Sequence, residues 1–72
     1  MTVTATIPIT VNGEPRRIQA GATIAIMLRE LGLDPARVAV ERNLAIVPRS
    51  TIGEAPVAAG DKFEIVHFVG GG

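Results

Sequence analysis

The hydrophobic period of this chain changes twice, and no other feature restricts its fold as much. From Thr6 to Asn12 apolar and polar residues alternate strictly, with Ile7, Ile9 and Val11 on one side and Thr6, Pro8, Thr10 and Asn12 on the other. Between Ile24 and Leu31 the residues Ile24, Met27, Leu28 and Leu31 fall at i, i+3, i+4 and i+7. Alternation returns at Lys62, where Phe63 and Ile65 are interleaved with Lys62 and Glu64. Period two with β-branched residues predicts half-buried strands, and the helical spacing predicts one helix with a single apolar face. In only 72 residues, that helix face and the sheet face have little else to bury against and must close on each other. The pattern must also carry the stability. A domain this small buries only about 60% of its unfolded surface, and the absence of cysteine removes any disulfide.

Turn chemistry divides the chain further. Asn12-Gly13 predicts a two-residue hairpin turn, because both residues tolerate positive φ. The returning strand runs through Arg16-Arg17-Ile18-Gln19, with Ile18 facing in. Pro8 has no N–H, so its nitrogen must point away from any partner strand or sit at an irregularity. Thr23 is the expected helix cap, Gly32 the expected stop, and Met27 a core-filling residue. After the Asp34-Pro35 turn, Val38 to Arg42 reads as a third strand with Val38 and Val40 inward. Asn43 breaks it, and Ala45 to Val47 makes a short fourth strand that Pro48 stops. Residues 49–59 are irregular, with room for one helical turn, and Gly60-Asp61 is a turn before the last strand, Lys62 to Phe68. A hairpin, one helix and three more strands give an α+β fold, a mixed sheet of about five strands with the helix on one face.

The inventory for chemistry is thin. Lys and Arg number 7 against 7 Asp and Glu, which argues against a nucleic-acid partner. No cysteine and one histidine leave no metal site, and no bound cofactor is expected. No stretch approaches the roughly 20 apolar residues of a membrane span. The first positive charge is Arg16, so the start does not read as a secretory signal. A cytoplasmic protein, monomeric when alone, is the expectation. His67 lies in a strand, where a buried or partly buried structural role is the default. Ser50 has no base near it in sequence. Glu41, Glu54, Asp61 and Glu64 are scattered and read as solvated, as do Arg16, Arg17 and Arg42.

The remaining anomaly is the end of the chain, Gly70-Gly71-Gly72. At about 7% average glycine usage, a run of this kind at a terminus arises by chance roughly three times in ten thousand chains. Residues 69–72 are expected to form a flexible tail on a single domain spanning 1–72. Glycines lack Cβ and can thread a channel closed to other residues. They reach about 10 Å beyond the folded body, and a terminal carboxylate, with a pKa of about 3.3–3.7, is ionised at neutral pH. Such an arm suits delivery of the Gly72 carboxylate into another enzyme's active site. Just before it, alternation fails at Val66 and Phe68, which should lie on the sheet face opposite Phe63 and Ile65 and form an exposed docking patch with Val69, Gly70 and Gly71.

Val38-Ala39-Val40-Glu41-Arg42-Asn43, Ile46-Val47-Pro48-Arg49-Ser50, Gly60-Asp61 and the run Glu64 to Gly72 together resemble the ThiS family, the sulfur carrier proteins of thiamine biosynthesis. Asn12-Gly13-Glu14 fits the family's first hairpin, and the terminal strand and tail are the most specific part. The resemblance implies a ubiquitin-like β-grasp, with first and last strands parallel at the sheet centre. It also implies a cosubstrate rather than a catalyst. A ThiF-type adenylating enzyme would use Mg-ATP on the Gly72 carboxylate, and a sulfur-relay protein would supply sulfur through a persulfide. The resulting thiocarboxylate would then serve thiazole synthase (ThiG-type). Two alternatives share the β-grasp outline: the small subunit of molybdopterin synthase, and a ubiquitin-like binding module or protein modifier.

Overall fold

A computed structural model of the chain describes residues 5–68. The expected tail and the tail residues Val69, Gly70, Gly71 and Gly72 lie outside the described residues. The elements are β1 (Thr6–Val11), β2 (Glu14–Gln19), α1 (Ile24–Glu30), a 3₁₀ turn at Pro35–Arg37, β3 (Val38–Arg42), β4 (Ala45–Ile46), a second 3₁₀ turn at Arg49–Thr51, and β5 (Lys62–His67). They form one five-stranded sheet in the order β2-β1-β5-β3-β4. β1 and β5 are parallel, in register at Thr10↔Lys62 and Val11↔Phe63, and the other pairs are antiparallel. This is the β-grasp arrangement with the last strand at the centre.

The two sequence periods meet in the core as expected. Ile24, Met27 and Leu28 are each 0% exposed. They belong to the same core cluster as Ile9, Val11, Ile18, Val38, Val40, Phe63 and Ile65, with Ile7 and Leu31 packed partly buried at its margin. Asn12 and Gly13 take φ of 51° and 82°, and the tight turn lets β2 pair from Glu14 onward, opposite Val11. The strand therefore starts earlier than its apolar content suggests. The N–H groups of Thr10 and Asn12 donate to Asp61 O and Phe63 O, so alternate residues of β1 turn their nitrogens toward β5. Pro8 is in that phase, where β5 has not yet begun. Its carbonyl accepts from Gly60 N at 2.7 Å, and the β1–β2 ladder loses no donor.

The segment without periodicity is fixed by the helix start. An α-helix leaves its first N–H groups without intrahelical partners. Here Ile24 N donates to Ala55 O and Ala25 N to Ile52 O, both at 2.9 Å, while Ile26 N donates to Thr23 Oγ1 at 3.2 Å. In return Val57 N donates to Ala22 O at 2.9 Å. Ile52 and Val57 are thereby seated in the core.

Three readings of single residues need correction. His67 is exposed rather than buried, because it is the last residue of β5, at the end of the sheet. Asp61, read as solvated, is only 6% exposed. Its carboxylate accepts from Ala58 N at 2.8 Å and Asn43 Nδ2 at 3.2 Å, and pairs with Arg42 Nη2 at 2.8 Å, so Arg42 is also not simply solvated. Burial alone would raise the Asp61 pKa. The Ala58 N–H, the Asn43 amide and the Arg42 guanidinium outweigh burial and hold it below the usual carboxylate value. A depressed folded-state pKa gives stability that is present above the unfolded value and lost as pH falls through the folded one. Asp61→Asn is therefore expected to cost about 1–3 kcal/mol at neutral pH. Acid denaturation curves should show the gap to wild type closing below the ordinary value of 3.8. A pH-independent gap would assign the loss to packing instead.

Candidate functional site

The candidate site is the exit end of β5, and two asparagines position that strand. Both sit in hairpin turns with φ of 51°, where asparagine is tolerated better than most residues. On the β1 side, Asn12 Oδ1 accepts from Ile65 N at 2.8 Å and Asn12 Nδ2 donates to Ile65 O at 3.2 Å. On the β3 side, Asn43 Oδ1 accepts from Lys62 N at 3.0 Å, and Asn43 N donates to Lys62 O at 2.8 Å. Each amide thus adds bonds to the β5 main chain: Asn12 extends the short β1–β5 ladder beyond Val11↔Phe63, and Asn43 continues the longer β3–β5 ladder past Arg42↔Phe63. β5 is held from both flanks as it runs toward the C-terminal residues.

Past the helix-covered stretch the strand turns apolar residues outward. Val66 pairs with Ala39 and is 64% exposed, and Phe68 is 55% exposed. Phe68 N donates to Arg37 O at 2.9 Å, so main-chain pairing with the β3 side continues through residue 68. The Arg49 guanidinium lies 5.5 Å from the centroid of the Phe68 ring, a cation–π distance. Its Nη1 and Nη2 donate to Pro35 O and Val38 O at 2.9 and 3.0 Å. Further back, Glu64 stands opposite Glu41. This like-charge pair does not stabilise the ladder and makes the open face locally acidic.

A shallow groove of about 290 Å³ beside the helix, bounded by Ala25, Arg29, Pro35, Arg49 and Ile52, has arginines as its only charged groups. Among the described residues, no group of three or more His, Asp or Glu converges on a metal-sized site.

The family model described as "ThiS family" matches residues 9–72, a span that includes the glycine run. The chain belongs to the ThiS family. The crystal structure of a thiamine biosynthesis protein, ThiS, from Geobacter metallireducens is similar at a TM-score of 0.77 and 29% identity, covering 92% of this chain and 100% of that one. A designed protein based on human ubiquitin, at TM-score 0.55 and 19% identity, with 93% and 95% of the chains covered, shares the fold alone. A thiazole synthase of Paramagnetospirillum magneticum is 52% identical over 64 residues, 89% of this chain. This chain spans only 20% of that protein's length.

In this ThiS-family chain the structure brings Val66 and Phe68 to the open side as expected. It adds residues that the sequence reading passed over. Ile46 on β4 is 79% exposed and Leu44 92% exposed, the latter at φ 70° in the turn position that glycine usually fills. Asn43 without a following glycine reads only as a break between the two strands, so the tight turn that joins them has no sequence signal of its own. Arg49 had no local signal either, because its ring partner is far along the chain. No described helix is long and apolar enough to cross a membrane.

Proposed function

We propose that this chain carries sulfur for thiazole formation on the carboxylate of Gly72. The observation that supports this reading is a family match that runs through the glycine run, on a chain that leaves Val66 and Phe68 exposed where β5 ends. In the adenylating enzyme's site the carboxylate attacks the α-phosphate of Mg-ATP, forming an acyl-adenylate and releasing pyrophosphate. A sulfur nucleophile at the sulfide oxidation level then displaces AMP and leaves a thiocarboxylate. When a persulfide relay delivers the sulfur, its outer sulfur displaces AMP to give an acyl disulfide; a second thiol then attacks the relay's own sulfur, releasing the thiocarboxylate and ending in a disulfide with the relay. Thiazole synthase is the acceptor. The thiazole synthase with a segment like this chain supports that pairing, since a covalent join keeps carrier and acceptor at high effective concentration. The chain is consumed and regenerated as a cosubstrate, and ATP and Mg act in the partner's site.

The test is intact mass after incubation with the adenylating enzyme, ATP and a sulfur donor. One oxygen should be replaced by sulfur, and the change should map to the C-terminal peptide. Sulfur on any side chain, or none at all, would refute the carrier reading.

The patch of Val66 and Phe68 is the docking surface in this reading, with the acidic Glu41–Glu64 pair at its border. Phe68→Ser removes an apolar group worth about 1.5 kcal/mol on full burial, so the adenylating enzyme should bind about tenfold more weakly. Circular dichroism should stay unchanged, because the side chain lies outside the core. Equal affinity of the folded variant and wild type, by titration calorimetry, would remove the patch from the mechanism.

A further inference from the structure

We infer that Arg49 and Phe68 form a clasp that sets the direction in which the main chain leaves the sheet, making Arg49 a positioning residue for the C-terminal carboxylate; this rests on the carrier reading above. Three carbonyls of one short segment are used at once. Arg49 spans Pro35 O and Val38 O with its two Nη atoms, and the Phe68 amide bonds Arg37 O between them. The guanidinium plane is fixed by two hydrogen bonds before it meets the ring, so the ring has a rigid cation to rest against. Arg49 is in none of the ion pairs among the described residues, and no carboxylate there neutralises the charge that faces the ring. Phe68 is the last residue before the stretch that must deliver the carboxylate. Its ring and its amide are anchored to the same segment, so residue 68 cannot pivot about the ladder bond alone. A lysine at 49 would keep the charge but not the planar fork that bridges two carbonyls.

The claim differs from simple docking. A docking contact changes how tightly the partner binds. A positioning contact changes how often the bound carboxylate reaches the α-phosphate in line, and a misplacement of about 1 Å can cost 100-fold in rate. The experiment is a double-mutant cycle on adenylation, with kcat and KM measured separately for wild type, Arg49→Lys, Phe68→Leu and the double variant. Each single variant should lower kcat by about 10-fold or more with little change in thermal midpoint. The double variant should be no slower than the slower single, since both break one contact. In parallel, the {¹H}–¹⁵N heteronuclear NOE of the Phe68 amide, which bonds Arg37 O, should fall in each variant. Additive losses in kcat, or a rise in KM alone, would overturn the clasp in favour of independent docking contacts. If the wild type is not adenylated at all, the carrier reading fails. The NOE then decides the clasp on its own: unchanged values in Arg49→Lys would refute it.

Discussion

A chain lacking Gly72 is expected to keep its fold and docking surface and to lose sulfur transfer. The truncation ends in Gly71, whose carboxylate is chemically alike but set back by about 3.5 Å. Reaction at the α-phosphate needs near-contact distance and in-line alignment, and a displacement several times smaller already costs orders of magnitude. The core described above uses no residue beyond Ile65, so thermal unfolding should match wild type. The measurement is single-turnover formation of the thiocarboxylate, followed by intact mass. Gly71→Val should also fail, for a different reason: the carboxylate is at full reach, but a β-branched side chain narrows the backbone conformations and enlarges the strand that must pass the channel. Wild-type rates in the truncated chain would show that the reacting group is not the Gly72 carboxylate.

Leu28→Ala is expected to cost about 2–5 kcal/mol of stability, read as a lower urea midpoint at unchanged slope. Leu28 is 0% exposed and sits in the stripe that closes the helix on the sheet. Removing its branched end opens a cavity that the surrounding β-branched side chains fill poorly. Small domains have about 5–15 kcal/mol in total, so the variant should be near half unfolded in mild denaturant. Ile26→Ala is the control. Ile26 lies off the stripe and is 40% exposed, and its loss should be much smaller. Similar losses at both positions would mean that the cost is helix propensity rather than burial.

The legible parts of this protein are those encoded by near neighbours. The Asn12-Gly13 turn, the strand phases of Ile9, Val40 and Phe63, and the helix from its Thr23 cap to the positive-φ Gly32 each depend on residues within a few positions. The outward phase of Val66 and Phe68 was legible for the same reason, as a break in alternation. The glycine run needed no structure to be noticed, because its chemistry lies in the absence of side chains.

The less legible parts depend on contacts between residues far apart in the chain. Asp61 has the composition of a turn residue, and only the convergence of Arg42, Asn43 and Ala58 around it makes burial of its charge tolerable. Ile52 and Val57 carry no period, yet the unpaired N–H groups at the start of α1 draw their segment into the core. The strands on either side of Asn43-Leu44 were legible, but the tight turn between them was not, because Leu44 adopts a conformation that its type disfavours.

By itself, then, the sequence determined which residues alternate, which stripe is apolar, where the chain turns, and that it ends in bare backbone. Those properties follow from the local geometry of strands, helices and glycine. The family resemblance also anticipated the parallel pairing of the first and last strands at the sheet centre. Only the tertiary structure decided that Asn12 and Asn43 hold β5 from both flanks, and that Arg49 meets Phe68 where the strand ends. Each of these joins groups whose attraction exists only once the chain has closed, so no window of neighbouring residues contains it.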